Sequence, residues 1–254
     1  MILTCDIGNT NIKAGIFTED KLTDFLIPKG ISELIDLVKN YKFNDIVVSS
    51  VVPSISEELI KKLDELTITP VIINSNSSFN LDIDYDSPET LGIDRVCSAE
   101  GAFYLYSKTN TFRKDQIIIS IDFGTATTLN VVKHPGLFAG GIIAPGTDLM
   151  FKSLKTNTAQ LPKVSSADYK NVIGKSTSES IASGVLQSAA GLIERSIELI
   201  KSETKAEEVI IYITGGNFEN VEKFLEFDYN YEKGLVLYGI NAVYNKAKLL
   251  NLHP

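Results

Sequence analysis

Two short stretches of this 254-residue chain set an aspartate, one further residue and a glycine between apolar runs. Asp6-Ile7-Gly8-Asn9-Thr10 follows the run Ile2–Cys5, and Asp122-Phe123-Gly124-Thr125-Ala126 follows Gln116–Ile121, 116 positions later. A glycine turn between strands lets the backbone approach a phosphate without Cβ interference, and its N–H groups can donate to phosphate oxygens. Asn9, Thr10 and Thr125 add neutral donors, and Lys13 adds a positive charge beside the first turn. Asp6 and Asp122 are hard oxygen ligands, suited to a hydrated Mg²⁺ or a monovalent cation. Asp and Gly also form turns for backbone reasons alone. Two copies, each opening a half-chain between apolar strands, are harder to assign to chance. Neither is a Walker A loop, because GxxxxGK[ST] is absent and a strand follows the glycine. A third glycine site, Thr214-Gly215-Gly216-Asn217, follows the apolar run Val209–Ile213. Such a pair can lie flat against a nucleobase or ribose, and is equally an ordinary strand-to-helix turn.

The elements that must position these groups alternate between strand and helix patterns. Asn11–Phe17 reads as the return strand of the first turn, and Thr127–Val132 as that of the second. Ile31, Leu34, Ile35 and Val38 fall at helix spacing. Ile46–Val52 reads as a buried strand stopped by Pro53, and Ser54 with Glu57 as a capping box before Leu59, Ile60, Leu63 and Leu66. Val71–Ile73 is another short strand. Residues 74–90 are polar and irregular, and 90–106 reads as a helix. In the second half, 136–145 is Gly-rich, 148–165 is polar with a few large apolar side chains, and 178–201 is one long helical pattern. Residues 221–227 and 238–250 close the chain as helices. On the long helix, Ala182, Ser183, Gly184, Ala189, Ala190 and Gly191 suit a close helix contact, in a dimer or inside one chain.

Composition excludes several classes of function. Hydrophobic residues make up 44% and charged residues 22%, which is globular rather than disordered or fibrous. Lys and Arg number 24 against 32 Asp and Glu, a net charge of −8, so a broad basic field for nucleic acid is not expected. Cys5 and Cys97, without CxxC spacing, form neither a disulfide framework nor a zinc site. The two histidines, His134 and His253, stand beside no nucleophile motif, which leaves carboxylates as the expected bases. The first residues lack a signal peptide's pattern, and no apolar run reaches the roughly 18 residues of a spanning helix. A cytoplasmic chain with no membrane partner is expected.

The three glycine sites in this order resemble the acetate-kinase/sugar-kinase/Hsp70/actin superfamily. The match narrows through DIGNTN (6–11), SSVVP (49–53), DSPETLGIDR (86–95), DFGTATT (122–128), GGIIAPG (140–146), GKST (174–177) and YEKGLVLYG (231–239). This series resembles that of type III pantothenate kinase over nearly the whole chain. The resemblance implies an α/β fold of two ribonuclease-H-like halves, 1–115 and 116–254, around a central cleft. It implies a homodimer and ATP-dependent phosphorylation of pantothenate, with Mg²⁺ and K⁺ or NH₄⁺ as cofactors. Carried over residue by residue, Asp6, Ile7, Gly8, Asn9, Thr10, Asn11, Ile12 and Lys13 match the ATP-phosphate loop, and Thr125 an ATP contact. Tyr85, Gly92, Ile93, Asp94 and Arg95 match the substrate residues, with Asp94 at the base position, and Thr177 a further substrate contact. Asp122 matches the monovalent-cation ligand. Position 130, often acidic in relatives, is Asn130 here. Other members of the fold suggest two alternatives: a different small-molecule kinase or phosphohydrolase, and a non-catalytic nucleotide-binding regulator.

Overall fold

The first apolar runs form an antiparallel meander: β1 (Ile2–Ile7), β2 (Ile12–Thr18) and β3 (Lys21–Leu26). The computed structural model describes residues 1–250. After the meander come α1 (Ile31–Asn40), β4 (Asp45–Ser50), α2 (Pro53–Asp64) and β5 (Val71–Ile73), with β4 parallel to β1 and β5 parallel to β4. The sheet order is β3-β2-β1-β4-β5. A short β6 (Asp82–Ile83) and α3 (Ile93–Ser107) follow.

The second series repeats the first. β7 (Gln116–Phe123), β8 (Ala126–Lys133) and β9 (Leu137–Pro145) lead into α4 (Thr147–Thr156) and α5 (Thr177–Thr204). β10 (Glu208–Thr214), α6 (Phe218–Val221), β11 (Asn230–Tyr231) and α7 (Leu235–Leu249) complete it. The second sheet runs β11-β10-β7-β8-β9-β6, with β10 parallel to both β7 and β11. Apart from β6, this is the first sheet's order with each strand replaced by its counterpart. Each D-x-G stretch joins the first two strands of its sheet, so the sequence echo is an echo of topology.

Several local expectations differ from the structure. Ser54 and Glu57 make no capping box: Val52 is the N-cap of α2 and Pro53 its first residue, where a missing N–H costs nothing. The Gly-rich 136–145 stretch contains strand β9, in which Gly140 and Gly141 interrupt the run of apolar side chains. Within the polar 148–165 stretch lies α4, an amphipathic helix that buries only Thr147 and Phe151. β3 is half exposed and carries no apolar alternation, so the sequence reading passed over it.

By contact the chain divides into two units. The first holds Met1–Lys114, Asn130–Gly140 and the described residues from Gly234 on; the second holds Asp115–Leu129 and Gly141–Lys233. Residues 130–140 and α7 thus group with the first unit although they follow residue 115. In the first unit, Leu3, Cys5 and Ile7 of β1 pack with Leu34 of α1 and Leu59 and Leu63 of α2. In the second, α5 lays Ala182, Leu186, Ala189 and Ile193 against the β7 and β10 isoleucines. Ala182, Ser183, Ala189 and Ala190 are therefore internal packing residues, whereas Gly184 and Gly191 face open space.

Helix α3 is held by an unusually close contact with α7. A Cβ on Gly101 would run into the Leu235 carbonyl, and one on Gly239 into the Cys97 carbonyl. Glycine at both places lets the two backbones touch. An exposed helical Gly→Ala change gains up to about 1 kcal/mol. Here overpacking, typically about 1–3 kcal/mol, should reverse the sign. Urea unfolding should therefore show Gly101→Ala and Gly239→Ala destabilised, and Gly184→Ala and Gly191→Ala slightly stabilised.

Candidate functional site

In the first unit the turn after β1 is closed by the Gly8 N–H donating to the Asn11 carbonyl at 3.1 Å, and leaves Asn9, Thr10 and Asn11 exposed. A Cβ at Gly8 would meet only the Asn11 carbonyl, at 3.4 Å, so the fold itself barely restricts that position. What the glycine preserves is open backbone on the outside of the turn. Asp6 and Lys13 face each other across the β1–β2 pair, with Lys13 Nζ 3.9 Å from Asp6 Oδ2. Ile7 and Ile12, at the strand ends, are buried and anchor the hairpin.

The GIDR stretch lies on the same edge of this unit. Gly92 is the N-cap of α3, and Ile93 its first residue. A cavity of about 340 Å³ is lined by Ser50 and Val51, at and just past the end of the pairing of β4 with β1, and by Leu91, Gly92 and Ile93. Asp94 folds back toward Gly92: its Oδ1 accepts the Arg95 N–H at 2.9 Å and lies 2.5 Å from where a Gly92 Cβ would stand. Any side chain at position 92 would displace the carboxylate. Asp6 and Asp94 converge electrostatically on the Cys97 thiol. That thiol is pushed well above its ordinary value, first by burial and then by Asp6, Glu100 and Asp94. Burial likewise pushes Cys5 up to about 12, so neither cysteine is a thiolate at neutral pH.

Arg95 points into the first unit and is 5% exposed. Its Nε donates to Asn130 Oδ1 at 2.8 Å, and its guanidinium faces the rings of Tyr85 at 5.8 Å and Phe138 at 5.9 Å. Tyr85 thus reaches the site through Arg95. The segment ahead of it is tethered from two helices. Glu100 of α3 accepts from Leu81 N at 2.8 Å and from Asn80 Nδ2 at 3.1 Å, and Lys246 of α7 donates to the Phe79 carbonyl.

In the second unit the glycine sites collect around the 124–125 turn. Gly124 N donates to the Ala126 carbonyl at 3.1 Å, Gly146 N to the Thr125 carbonyl at 3.0 Å, and Asn217 Nδ2 to the Gly124 carbonyl at 3.1 Å. Gly215 has a positive φ of 107°, and a Cβ there would run into Phe123 N and Asp122 Oδ1, so packing demands this glycine. Gly216 faces open space and leaves room for a ligand. Thr125 is exposed and Asp122 half-buried beside Gly215. Thr177 is the first residue of α5 and is exposed, beside a groove of about 890 Å³ between α4 and α5. The GKST stretch is a helix start: Ser176 Oγ accepts from Glu179 N at 3.3 Å, and Glu179 accepts from Lys175 N at 2.9 Å and Lys170 Nζ at 2.8 Å. No group of three or more His, Cys, Asp or Glu suited to a metal occurs among the described residues.

His134 is half-buried with its ring against Phe112, 5.9 Å between centroids, and His253 lies outside the described residues. The motif reading passed over Phe138 and Glu100 as site-building residues, and included Gly146 and Asn217 in motifs without giving either a role of its own. The signal for Glu100 was present, as an acid in the otherwise small and apolar stretch CSAEGAF.

The family model described as type III pantothenate kinase matches residues 2–199. A type III pantothenate kinase of Persephonella marina is 35% identical over 260 residues, covering 96% of this chain and 98% of the relative. The chain belongs to the type III pantothenate kinase family. It is accordingly a phosphotransferase. The kinase family implies use of ATP with a divalent metal. Among solved structures, a Campylobacter jejuni chain described as of a Baf family of transcriptional activators superposes with TM-score 0.62 at 20% identity, covering 97% of this chain and 99% of that one. The ROK hexokinase of Thermus thermophilus follows with TM-score 0.52 at 11% identity, again covering 97% and 99%. These likenesses show the fold, that of the actin-like ATPases and sugar kinases. No helix among the described residues is long and apolar enough to cross a membrane.

Burial pushes the Glu100 carboxyl above its ordinary 4.5, opposed by the hydrogen bonds from residues 80 and 81 and by the Lys246 charge. The folded chain then keeps a proton that the unfolded chain releases, so the contribution of Glu100 to stability is full below pH 4.5 and is lost as pH rises through the folded value. Melting temperatures measured across this range should show the decline in the parent protein, and a flatter profile in Glu100→Gln.

Proposed function

We propose that the chain transfers the γ-phosphoryl group of ATP to the primary hydroxyl of pantothenate, giving 4′-phosphopantothenate, the first step of coenzyme A synthesis. One observation carries the reading: Asp94 is set back over Gly92 beside a buried Arg95, on the same edge of the first unit as the Asp6–Lys13 hairpin. A base, an anion holder and a phosphate loop are the parts that phosphoryl transfer requires, because positioning and charge neutralisation dominate its catalysis.

In this reading Asp94 takes the proton of the attacking hydroxyl as its oxygen bonds to phosphorus and ADP departs. The exposed backbone of Asn9, Thr10 and Asn11, in the turn that Gly8 closes, holds phosphate oxygens with Lys13, and Asp6 stands ready to meet Mg²⁺ brought by the nucleotide. Thr125 contacts ATP, and open Gly216 leaves space for the nucleoside. Tyr85, Gly92, Ile93, Arg95 and Thr177 bind pantothenate. Asp122 would hold K⁺ or NH₄⁺, which when bound adds positive charge near the phosphates on an otherwise acidic protein. The chain works as a homodimer, with open Gly184 and the exposed apolar residues beside it on the α4–α5 groove available to a second copy.

The test is an ADP-release assay with and without pantothenate, in Mg²⁺ with Na⁺, K⁺ or NH₄⁺ in turn. Pantothenate-dependent turnover, raised by K⁺ or NH₄⁺, is expected, and Asp94→Asn should lower it by about 10²–10⁴-fold without unfolding the protein. ADP release indifferent to pantothenate would point to a phosphohydrolase, and ATP binding without transfer to a regulator.

A further inference from the structure

At the end of β10 the second unit builds a lip from two chain segments. β11 runs parallel to β10 with Tyr231 paired to Ile213, and the pairing continues past both strands. Glu232 N donates to the Ile213 carbonyl at 2.9 Å, and Thr214 Oγ1 to the Lys233 carbonyl at 3.1 Å. Residues 231–233 therefore lie alongside 213–214, the two residues that lead into Gly215-Gly216. The second segment is held as firmly. Asn217 N donates to the Phe123 carbonyl at 2.9 Å, Asn217 Nδ2 to the Gly124 carbonyl at 3.1 Å, and Phe218 N to the Gly215 carbonyl at 3.3 Å.

Phe218 joins the two segments. It is 3% exposed, and its ring stacks on that of Tyr231, 4.8 Å between centroids and 18° between planes. Phe123 and Tyr229 hold the same ring at 6.0 and 5.4 Å. Tyr231 itself is 48% exposed. One face of its ring is set against a buried partner, so its exposure belongs to the edge and the other face. Beside it Gly216 has nothing within 4 Å of where a Cβ would stand. A ring fixed from behind loses little freedom when a second planar group covers its front. Stacking of a base on an aromatic side chain is a strong contact of this kind, and it does not read the edges of the base.

We propose that Tyr231, backed by Phe218, is the platform on which the base of the donor nucleotide stacks. This rests on the ATP-dependent kinase reading above and adds to it the residue that receives the nucleobase. The lip is hydrogen-bonded to the second D-x-G turn through Asn217, so a nucleotide in contact with Thr125 has the platform within the same unit. The contact is made by the face of the ring, and a phenylalanine at 231 supplies it equally.

The experiment uses the full-length protein, with steady-state kinetics and the fluorescence of 2-aminopurine riboside 5′-triphosphate, whose base is quenched when it stacks. The parent should quench the probe, and excess ATP should restore its emission. Tyr231→Ala should raise KM for ATP roughly tenfold, with kcat and KM for pantothenate little moved, and should abolish the quench. Tyr231→Phe should match the parent in both. A raised KM for ATP with the quench intact overturns the proposal, because the change then disturbs the glycine turn rather than a stack. So does a parent-like KM in Tyr231→Ala, or a quench that ATP does not reverse. If circular dichroism shows Tyr231→Ala unfolded, Tyr231→Leu, which keeps apolar cover on Phe218, decides by the same two readings. A parent that quenches the probe reversibly yet phosphorylates no pantothenate removes the kinase reading and leaves the platform standing. A parent that phosphorylates pantothenate without quenching the probe overturns the platform alone.

Discussion

Helix α3 owes its place to two missing side chains. Gly101 and Gly239 let α3 and α7 meet backbone to backbone, closer than any residue with a Cβ would allow. Helix α7 is buried along its length, with Val236, Leu237, Ile240 and Val243 packed beside Phe17 of β2 and Val47 of β4. The contact therefore fixes the start of α3 relative to the strands that carry the Asp6–Lys13 hairpin. Asp94 and Arg95 lie in that first turn, so their reach is set by a contact two helical turns further along. Close packing transmits small changes because a protein interior has few voids to absorb them.

The polar groups near this frame divide into two kinds. Glu100 has its demands met inside the fold, by Leu81 N and Asn80, and serves to hold the segment that delivers Tyr85. Arg95 does not, since a neutral amide and two aromatic rings leave one of its nitrogens without a partner. Buried groups that remain unmet are where a fold keeps energy available for a ligand. The second unit uses glycine for a different end. Gly146 and Gly215 have no room for a Cβ against the 124–125 turn and Asp122, whereas Gly216 opens outward. In Gly215-Gly216 the first residue answers to the protein and the second is free to answer to a ligand.

Much of the fold was legible in the chain. The repeated D-x-G turn marked a repeated strand order, and the long pattern at 178–201 became α5 almost unchanged. What escaped was weakly buried or glycine-interrupted: β3, with little burial, β9, whose Gly140 and Gly141 carry no side chain to mark a face, and α4, which buries two side chains. Weak burial leaves a weak apolar period, and the reading depended on that period. Ser54 and Glu57 had cap spacing but lost to Pro53, whose fixed φ begins the helix one residue earlier.

The amino-acid sequence alone determined the residue types that do chemistry and their order along the chain, because a glycine turn, an aspartate and an arginine carry their properties wherever they are placed. It also determined the duplication, since strand, turn and strand are local patterns. Only the tertiary structure decided which groups are compensated. That Arg95 faces Asn130, Tyr85 and Phe138, and that Glu100 faces Asn80 and Leu81, depends on residues 10–43 positions apart brought within contact. Whether a buried charge finds its counterion is a property of that assembled surrounding, and no local pattern encodes it.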